Sequence, residues 1–427
     1  MKLLRFFPIL FLLVSFPVLS QDKNEFESNW PTWRGPLANG IAPKSNPPVT
    51  WSETQNIKWR TPVEGKGFST PIVWGNIVFI STAIPKEAAA GSTLKPYIFK
   101  VVALNRADGK ILWETTVTEE EVQDNIHPTA SHISTSSVTD GKYLYAYFGS
   151  RGLFCLDFTG KIIWKKDFGQ MQKRNNFGEG ESPAMFGNKI VIQWDHEGQS
   201  EIFCVDKNTG NEIWKKERDE PSSWSTPLIV EYDGKVQVIT TASKKVRSYN
   251  IENGEVLWEC SGLTGNVTPN AVFGDGILYV MSGYSGFALL AIKMAGIKGD
   301  ITGTDAIVWS LKANTPYVPS PLLVNKRLYF LRVNTGALSC LEAATGKLIY
   351  GPTMLENLGT VYNSPVYANG RIYQLGGTGL TYTLEEGTEL KILAQNKLDD
   401  SFSASPAVAG NEIFLRGLKY VYCISEK

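Results

Sequence analysis

Apolar and polar residues alternate along this chain in runs of four to six, and beyond the N-terminus none of them carries a helical stripe. Such alternation predicts strands with one buried face, and the runs come in groups of four. A Ser-Pro or Thr-Pro pair opens most groups, at Thr70, Ser182, Thr226, Ser320, Ser364 and Ser405. Turns such as Gly75-Asn76, Asp140-Gly141, Gly187-Asn188, Asp275-Gly276 and Asn369-Gly370 lead into the second run. Tight hairpins need those residues because they tolerate positive φ. The third run ends at a small residue, an Asx and Gly turn follows, and in most groups the fourth run carries a tryptophan.

The small residues form a column: Ala103, Cys155, Cys204, Ser248, Ala291, Cys340, Thr383 and Cys423. Trp59, Trp113, Trp164, Trp214, Trp258 and Trp309, then Tyr350, recur at the roughly 40–50-residue period of propeller repeats. Tandem sandwiches would need an independent core about every 100 residues, and the period is too short for that. The last group ends at Ile424 without a Trp strand, while Asn56 to Val63, with Trp59, precedes the first Thr-Pro. The expectation is an all-β, eight-bladed propeller of four-stranded antiparallel blades. Its ring would be closed by an N-terminal strand completing the last blade.

Composition narrows the setting. Lys2 and Arg5, the apolar stretch Phe6 to Leu19 and the small residues before Gln21 read as a cleavable targeting segment over residues 1–20. Pro8 and Pro17 interrupt it, and a spanning helix needs about 20 apolar residues. Residues 21–55 are then a leader, and 56–427 a single propeller domain. No cysteine lies near the cleavage site, so export without a lipid anchor, to the periplasm or beyond, is expected. Without Lys2 and Arg5 the chain keeps 40 basic against 42 acidic residues, and it shows no basic stripe. Nucleic acid and anionic membrane are poor partners for such a surface. Four of the five cysteines stand in the small-residue column of different blades, too far apart for disulfides. Five free, mostly buried thiols are expected.

Function is expected on the loops that join one blade to the next, because loops on a rigid scaffold carry binding residues. These include the segments from His127 to His132, Arg174 to Glu181 and Arg218 to Trp224, with Asn266, Tyr317, Tyr362 and Asp399 to Phe402. Converging on one mouth, they give aromatic walls with carboxylates and amides between them, which suits a planar or sugar-like ligand. The densest constellation is Trp194-Asp195-His196-Glu197 in the third blade. Asp195 and Glu197 are candidates for a general base or for oxygen ligands to a metal. Trp194, His196, Trp224, Asn266, Glu181 and Arg218 are candidates for cofactor contact. Any one of these residues could equally cap a strand end, and that reading is about three times commoner for single polar loop residues. An insertion from Lys293 to Asp305 in the fifth blade should lie on the opposite face, with Gly299-Asp300 and Thr302-Gly303 in a structured turn. Neither a phosphate loop nor a nucleophile elbow is present.

The small-X-Asp-X-X-Thr-Gly-X-X-X-Trp unit, spread from Trp59 to Ile424, resembles the tryptophan-docking motif of pyrroloquinoline quinone (PQQ)-type eight-bladed propellers. The leader Trp30-Pro-Thr-Trp33-Arg-Gly-Pro36, with Asp195 to Gly198, Lys298 to Gly303 and Tyr317 to Leu323, resembles exported bacterial PQQ-binding-like repeat proteins. That resemblance implies two models. One is a PQQ-dependent alcohol or sugar dehydrogenase, in which PQQ lies over a Trp floor with calcium held by Glu, Asn and Asp. Asp195 or Glu197, Asn266 and Trp224 would take those parts, although the adjacent cysteines and the Cys-X-X-Cys-His haem motif of such enzymes are missing. The other is the cofactor-free propeller of the outer-membrane protein assembly machinery. The leading expectation is a monomeric, non-catalytic binding scaffold for a small-molecule ligand or a cell-envelope protein, with the PQQ oxidoreductase as the alternative.

Overall fold

The structure, a computed structural model, describes residues 23–88, 94–123 and 126–426. The targeting segment expected over residues 1–20 lies outside the described residues. Eight sheets follow one another along the chain, each built on four antiparallel strands that in all but the last sheet neighbour one another in chain order. The third is typical: Ala184–Phe186, Lys189–Trp194, Ser200–Asp206 and Glu212–Arg218. The fold is an all-β eight-bladed propeller. The last sheet takes its fourth strand, Ile57–Pro62, from the N-terminal side, where Trp59 pairs with Cys423.

The register explains the small-residue column. Ala103 stands opposite Trp113, Cys155 opposite Trp164, Cys204 opposite Trp214, Ser248 opposite Trp258 and Ala291 opposite Trp309. Directly opposed Cβ atoms lie only about 5 Å apart, so an indole on one strand needs a small partner on the other. In each of these pairs the register slips immediately after the small residue, a bulge that re-aims the strand into the turn. The indole then lies against a glycine of the following blade. A Cβ at Gly109 would come within 2.6 Å of Trp59, and one at Gly160 within 2.7 Å of Trp113. The indole N–H groups of Trp59 and Trp113 donate to the carbonyls of Arg106 and Phe158, both at 2.9 Å. All five cysteines are buried and free.

Blade 4 departs from four strands. The fifth-blade insertion contributes Gly299–Asp300, which runs parallel to Val256–Cys260 of blade 4 as a fifth strand. The Asp300 carboxylate accepts from the Thr302 amide and hydroxyl, which forms the turn. Among the described residues no glycine lies against the Trp258 ring as one does for Trp59 and Trp113, and the inserted strand pairs Gly299 with Trp258 instead.

Around the axis runs a belt of hydrogen bonds. The N–H of each innermost residue donates to the side-chain oxygen of the next: Thr70 to Ser136, Ser136 to Ser182, Ser182 to Thr226 and Thr226 to Asn270, all at 2.9–3.0 Å. Asn270 donates to Ser320, Ser320 to Ser364 and Ser364 to Ser405, each at 2.9 Å. The Thr70 hydroxyl, at the junction of blades 8 and 1, is buried and has no hydrogen-bond partner among the described residues.

The leader crosses the axis on the face of the first hairpin turns. Trp30 pairs with Val73 of blade 1, and Ile41 with Tyr367 of blade 7. Between them Arg34, wholly buried, donates to the carbonyls of Asn39, Pro321 and Pro365 at 2.8–2.9 Å. Burial without a carboxylate partner lowers its pKa to about 9. The chain then places Trp51 against Tyr373 at 6.3 Å before entering Ile57–Pro62.

Candidate ligand-binding cavity

Above the belt, on the face of the blade-to-blade loops, the axis holds a cavity of about 360 Å³. The loops supply its wall because each connection from an outer strand to the next inner strand must pass over this rim. His127, Phe177 and Trp224 form one arc, with His127 to Phe177 at 4.7 Å and Phe177 edge-on to Trp224 at 6.0 Å. Tyr317 and Tyr362 form the facing arc, and the exposed Tyr284 packs on Tyr317 at 4.8 Å. Phe68 and Trp33 complete the apolar lining, with Thr268, Asn334, Ser403 and Ser405 as polar points. Burial pushes the Tyr317 hydroxyl up to about 12, so it is a neutral donor at ordinary pH.

Glu179 is the carboxylate on this wall. It is held by the Ser150 amide at 2.8 Å, the Ser150 hydroxyl at 2.5 Å and Arg151 at 3.3 Å. A hypothetical Cβ on Gly149 would strike its Oε2, so only glycine lets it dock there.

Of the candidates singled out from sequence, Trp224 lines the cavity, and its indole N–H donates to the Gly178 carbonyl at 2.8 Å. Glu181 lies just behind Trp224, fully buried and paired with Lys173. The Lys173 ammonium also donates to the carbonyls of Asp195 and Ser223, and it sits 5.4 Å from the Trp224 ring. Burial outweighs the lysine's pull and raises the Glu181 pKa to about 7.

Asp195 and Arg218 form a wholly buried bidentate pair at 2.6 and 3.0 Å. The remaining capacity of Asp195 goes to Gln193 at 2.7 Å and Ser223 at 2.6 Å, while Arg218 reaches Thr240 and Tyr249. Burial alone would lower the Arg218 pKa, but Asp195 and Tyr249 hold it above the ordinary arginine value. His196 is spent on its own turn: Nδ1 accepts from the amides of Gln172 and Gly198, and Nε2 bonds the Gln199 carbonyl at 3.0 Å. That pattern places the ring proton on Nε2. Glu197 is exposed, accepting from the Ser222 amide and pairing with Arg174 at 3.3 Å. Trp194 is packed between Phe168 and Phe203 in the core. Asn266 is buried at left-handed φ 54, and among the described residues its side-chain amide makes no well-formed hydrogen bond, although the Tyr317 hydroxyl lies near enough to be influenced by it.

Trp33, Phe68 and Asn334 were not singled out from sequence, because they lie in the leader, in a first-blade turn and at the end of a hairpin. The signal for Trp33 was present: it stands in Trp-Arg-Gly-Pro, out of step with the tryptophan repeat.

This fold and its axial cavity define a PQQ-like eight-bladed propeller. The family model described as outer membrane protein assembly factor BamB matches residues 98–349, and the chain belongs to that family. Among solved structures, BamB from Moraxella catarrhalis is similar at TM-score 0.56 and 14% identity, over 86% of this chain and 100% of that one. Quinohemoprotein alcohol dehydrogenase from Comamonas testosteroni is similar at TM-score 0.64 and 10% identity, over 94% and 81%. Quinohemoprotein alcohol dehydrogenase ADHIIG from Pseudomonas putida HK5 gives 0.63 and 10%, over 94% and 81%. No curated protein sequence matches. Identities this low establish the shared fold and nothing narrower.

Proposed function

We propose that this protein is an exported, periplasmic binding propeller whose axial cavity takes a small ligand with a flat face, aromatic or sugar-like. The observation that carries this reading is the cavity of about 360 Å³ with two opposed aromatic arcs. Stacking on such walls contributes about 0.5–1.5 kcal/mol per ring pair beyond area burial. Among the described residues no helix is long and apolar enough to cross a membrane. Membership of an outer-membrane assembly-factor family supports a cell-envelope protein as a further partner.

The alternative, a PQQ-dependent oxidoreductase, is supported by the fold neighbours and by the flat aromatic walls. The oxygens for its calcium ion do not fit. Calcium takes 6–8 oxygen ligands, yet Asp195 is committed to Arg218, Glu197 to Arg174 and the Ser222 amide, Glu179 to Ser150 and Arg151, and Asn334 Oδ1 to the Val318 amide, so that of these side chains Asn266 alone keeps an uncommitted oxygen. Among the described residues no three acidic, His or Cys side chains cluster as a metal group would need. Binding without redox chemistry is the reading the side chains favour.

The test titrates wild type and Thr268→Trp, which fills the cavity, with 1-anilinonaphthalene-8-sulfonate and with PQQ, each with and without Ca²⁺. The expected result is saturable binding in wild type that needs no Ca²⁺, is lost in Thr268→Trp and produces no dye-linked alcohol oxidation. Equal binding by Thr268→Trp would remove the cavity as the site. Calcium-dependent oxidation of an alcohol or sugar would establish the enzyme reading instead.

A further inference from the structure

The axis holds a second concavity, of about 670 Å³, on the opposite face. It lies between the leader and the first hairpins of blades 2 to 4, lined by Leu37, Pro183, Met185, Phe186 and Ile229 among others. The belt residues mark the waist between the two spaces. Ser405 faces the loop-side cavity, whereas Thr226 and Asn270 face the leader-side groove. Among the described residues Trp33 is the one common to both linings. Trp33 thus stands where the two spaces approach each other, with the Arg34 guanidinium 5.9 Å from its ring.

Trp33 is held there by its neighbours. On one side, Trp30 is wholly buried, exchanges both backbone hydrogen bonds with Val73, and packs against Gly35, where a Cβ would fall 2.7 Å from its ring. On the other, Arg34 is fixed to carbonyls of blades 6 and 7. Neither anchor uses the Trp33 indole as a hydrogen-bond partner. The other tryptophans of the leader, Trp30 and Trp51, are 0% and 3% exposed, as packing residues should be, while Trp33 stays half-buried with a face on open space. The ring is not a lone exposed aromatic: it lines the same concave space as Phe68, Phe177, Trp224 and Tyr317, which is where a flat ligand would be met.

We infer that Trp33 sets the depth of the axial cavity and so determines the size of ligand it admits, an inference that rests on reading this cavity as the ligand site. With the indole in place, a ligand of about one fused-ring or one sugar unit stacks on the floor and stops. Without it, the cavity opens into the leader-side groove and a longer ligand can pass the waist.

The experiment compares 1-anilinonaphthalene-8-sulfonate with its dimer, bis-anilinonaphthalene sulfonate, on wild type, Trp33→Ala, Trp33→Phe and Thr268→Trp, with circular dichroism to verify folding. Wild type should favour the monomeric probe. Trp33→Ala should lose about tenfold in affinity for the monomer, the order of one stacking contact, and gain for the dimer, with Trp33→Phe in between. If Thr268→Trp abolishes monomer binding while the Trp33 variants leave the preference unchanged, the cavity is the site and the depth-setting role is wrong. If Thr268→Trp leaves monomer binding intact, the cavity reading falls and this inference falls with it. Should Trp33→Ala misfold, the order of wild type and Trp33→Phe decides, because an unchanged preference there also overturns the inference.

Discussion

Glu181 lies fully buried beside Lys173, and burial holds its acid form up to about pH 7. In the unfolded chain a glutamate titrates near 4.3. Below that value both states are protonated, and the stabilising difference is fully present. As pH rises towards 7 the unfolded state loses its proton first, so the native state is progressively destabilised. The span corresponds to roughly 4 kcal/mol at most. Urea unfolding at pH 5, 6 and 7.5 should therefore show wild type losing more stability with pH than Lys173→Met/Glu181→Gln, which removes both charges. Parallel profiles would mean that Glu181 does not titrate in that window. At this scale the sequence pointed to the loops that line the cavity more than to the side chains that face it. Trp224 reaches the cavity, but Asp195 turns into an ion pair with Arg218, a residue 23 positions away, and His196 folds back on its own turn. The Asp195 pair depends on a partner that local spacing does not reveal, whereas His196 is taken up by the near Gly198 amide and Gln199 carbonyl together with the distant Gln172 amide.

At the scale of strands, the repeat was legible because one steric requirement recurs: a small residue facing an indole, then a bulge, then a glycine under the ring of the blade before. The belt was half legible. Six of its members precede proline, whereas Ser136 and Asn270 are followed by Ser137 and Ala271 and carry no such mark. Its energetic weight is testable because the belt is unequal around the ring. Ser364→Ala strips the acceptor from the buried Ser320 amide, and an unsatisfied buried donor costs about 1–3 kcal/mol. Thr70→Val, in contrast, replaces a buried hydroxyl that has no partner among the described residues with a methyl of similar shape. It should be neutral within about 0.5 kcal/mol, or stabilising. Denaturant midpoints of the two variants, at equal m-values, should separate them clearly. Equal losses would show that the belt is incidental to the stability of the ring.

For the whole molecule, the leader converts a ring with an open axis into one with a floor. Its bonds join residues far apart in sequence, such as Arg34 with Pro321 and Pro365, and it belongs to no repeat, so periodicity could not foretell its path. Each blade keeps its own apolar interfaces with its neighbours, so the ring should survive loss of the leader while the cavity should not. Arg34 is the point at which to separate them. Arg34→Met keeps much of the stem but leaves three carbonyls without their donor, a cost of about 1–3 kcal/mol for each group left unpaired. Limited proteolysis should then cut the variant between residues 33 and 44 at least tenfold faster than wild type, as read by mass spectrometry of the released peptide. The strand signal in circular dichroism should persist, and probe binding in the axial cavity should fall in step with release. If Arg34→Met instead unfolds cooperatively with no early cut, the leader is part of the ring's own folding unit rather than a floor laid across it.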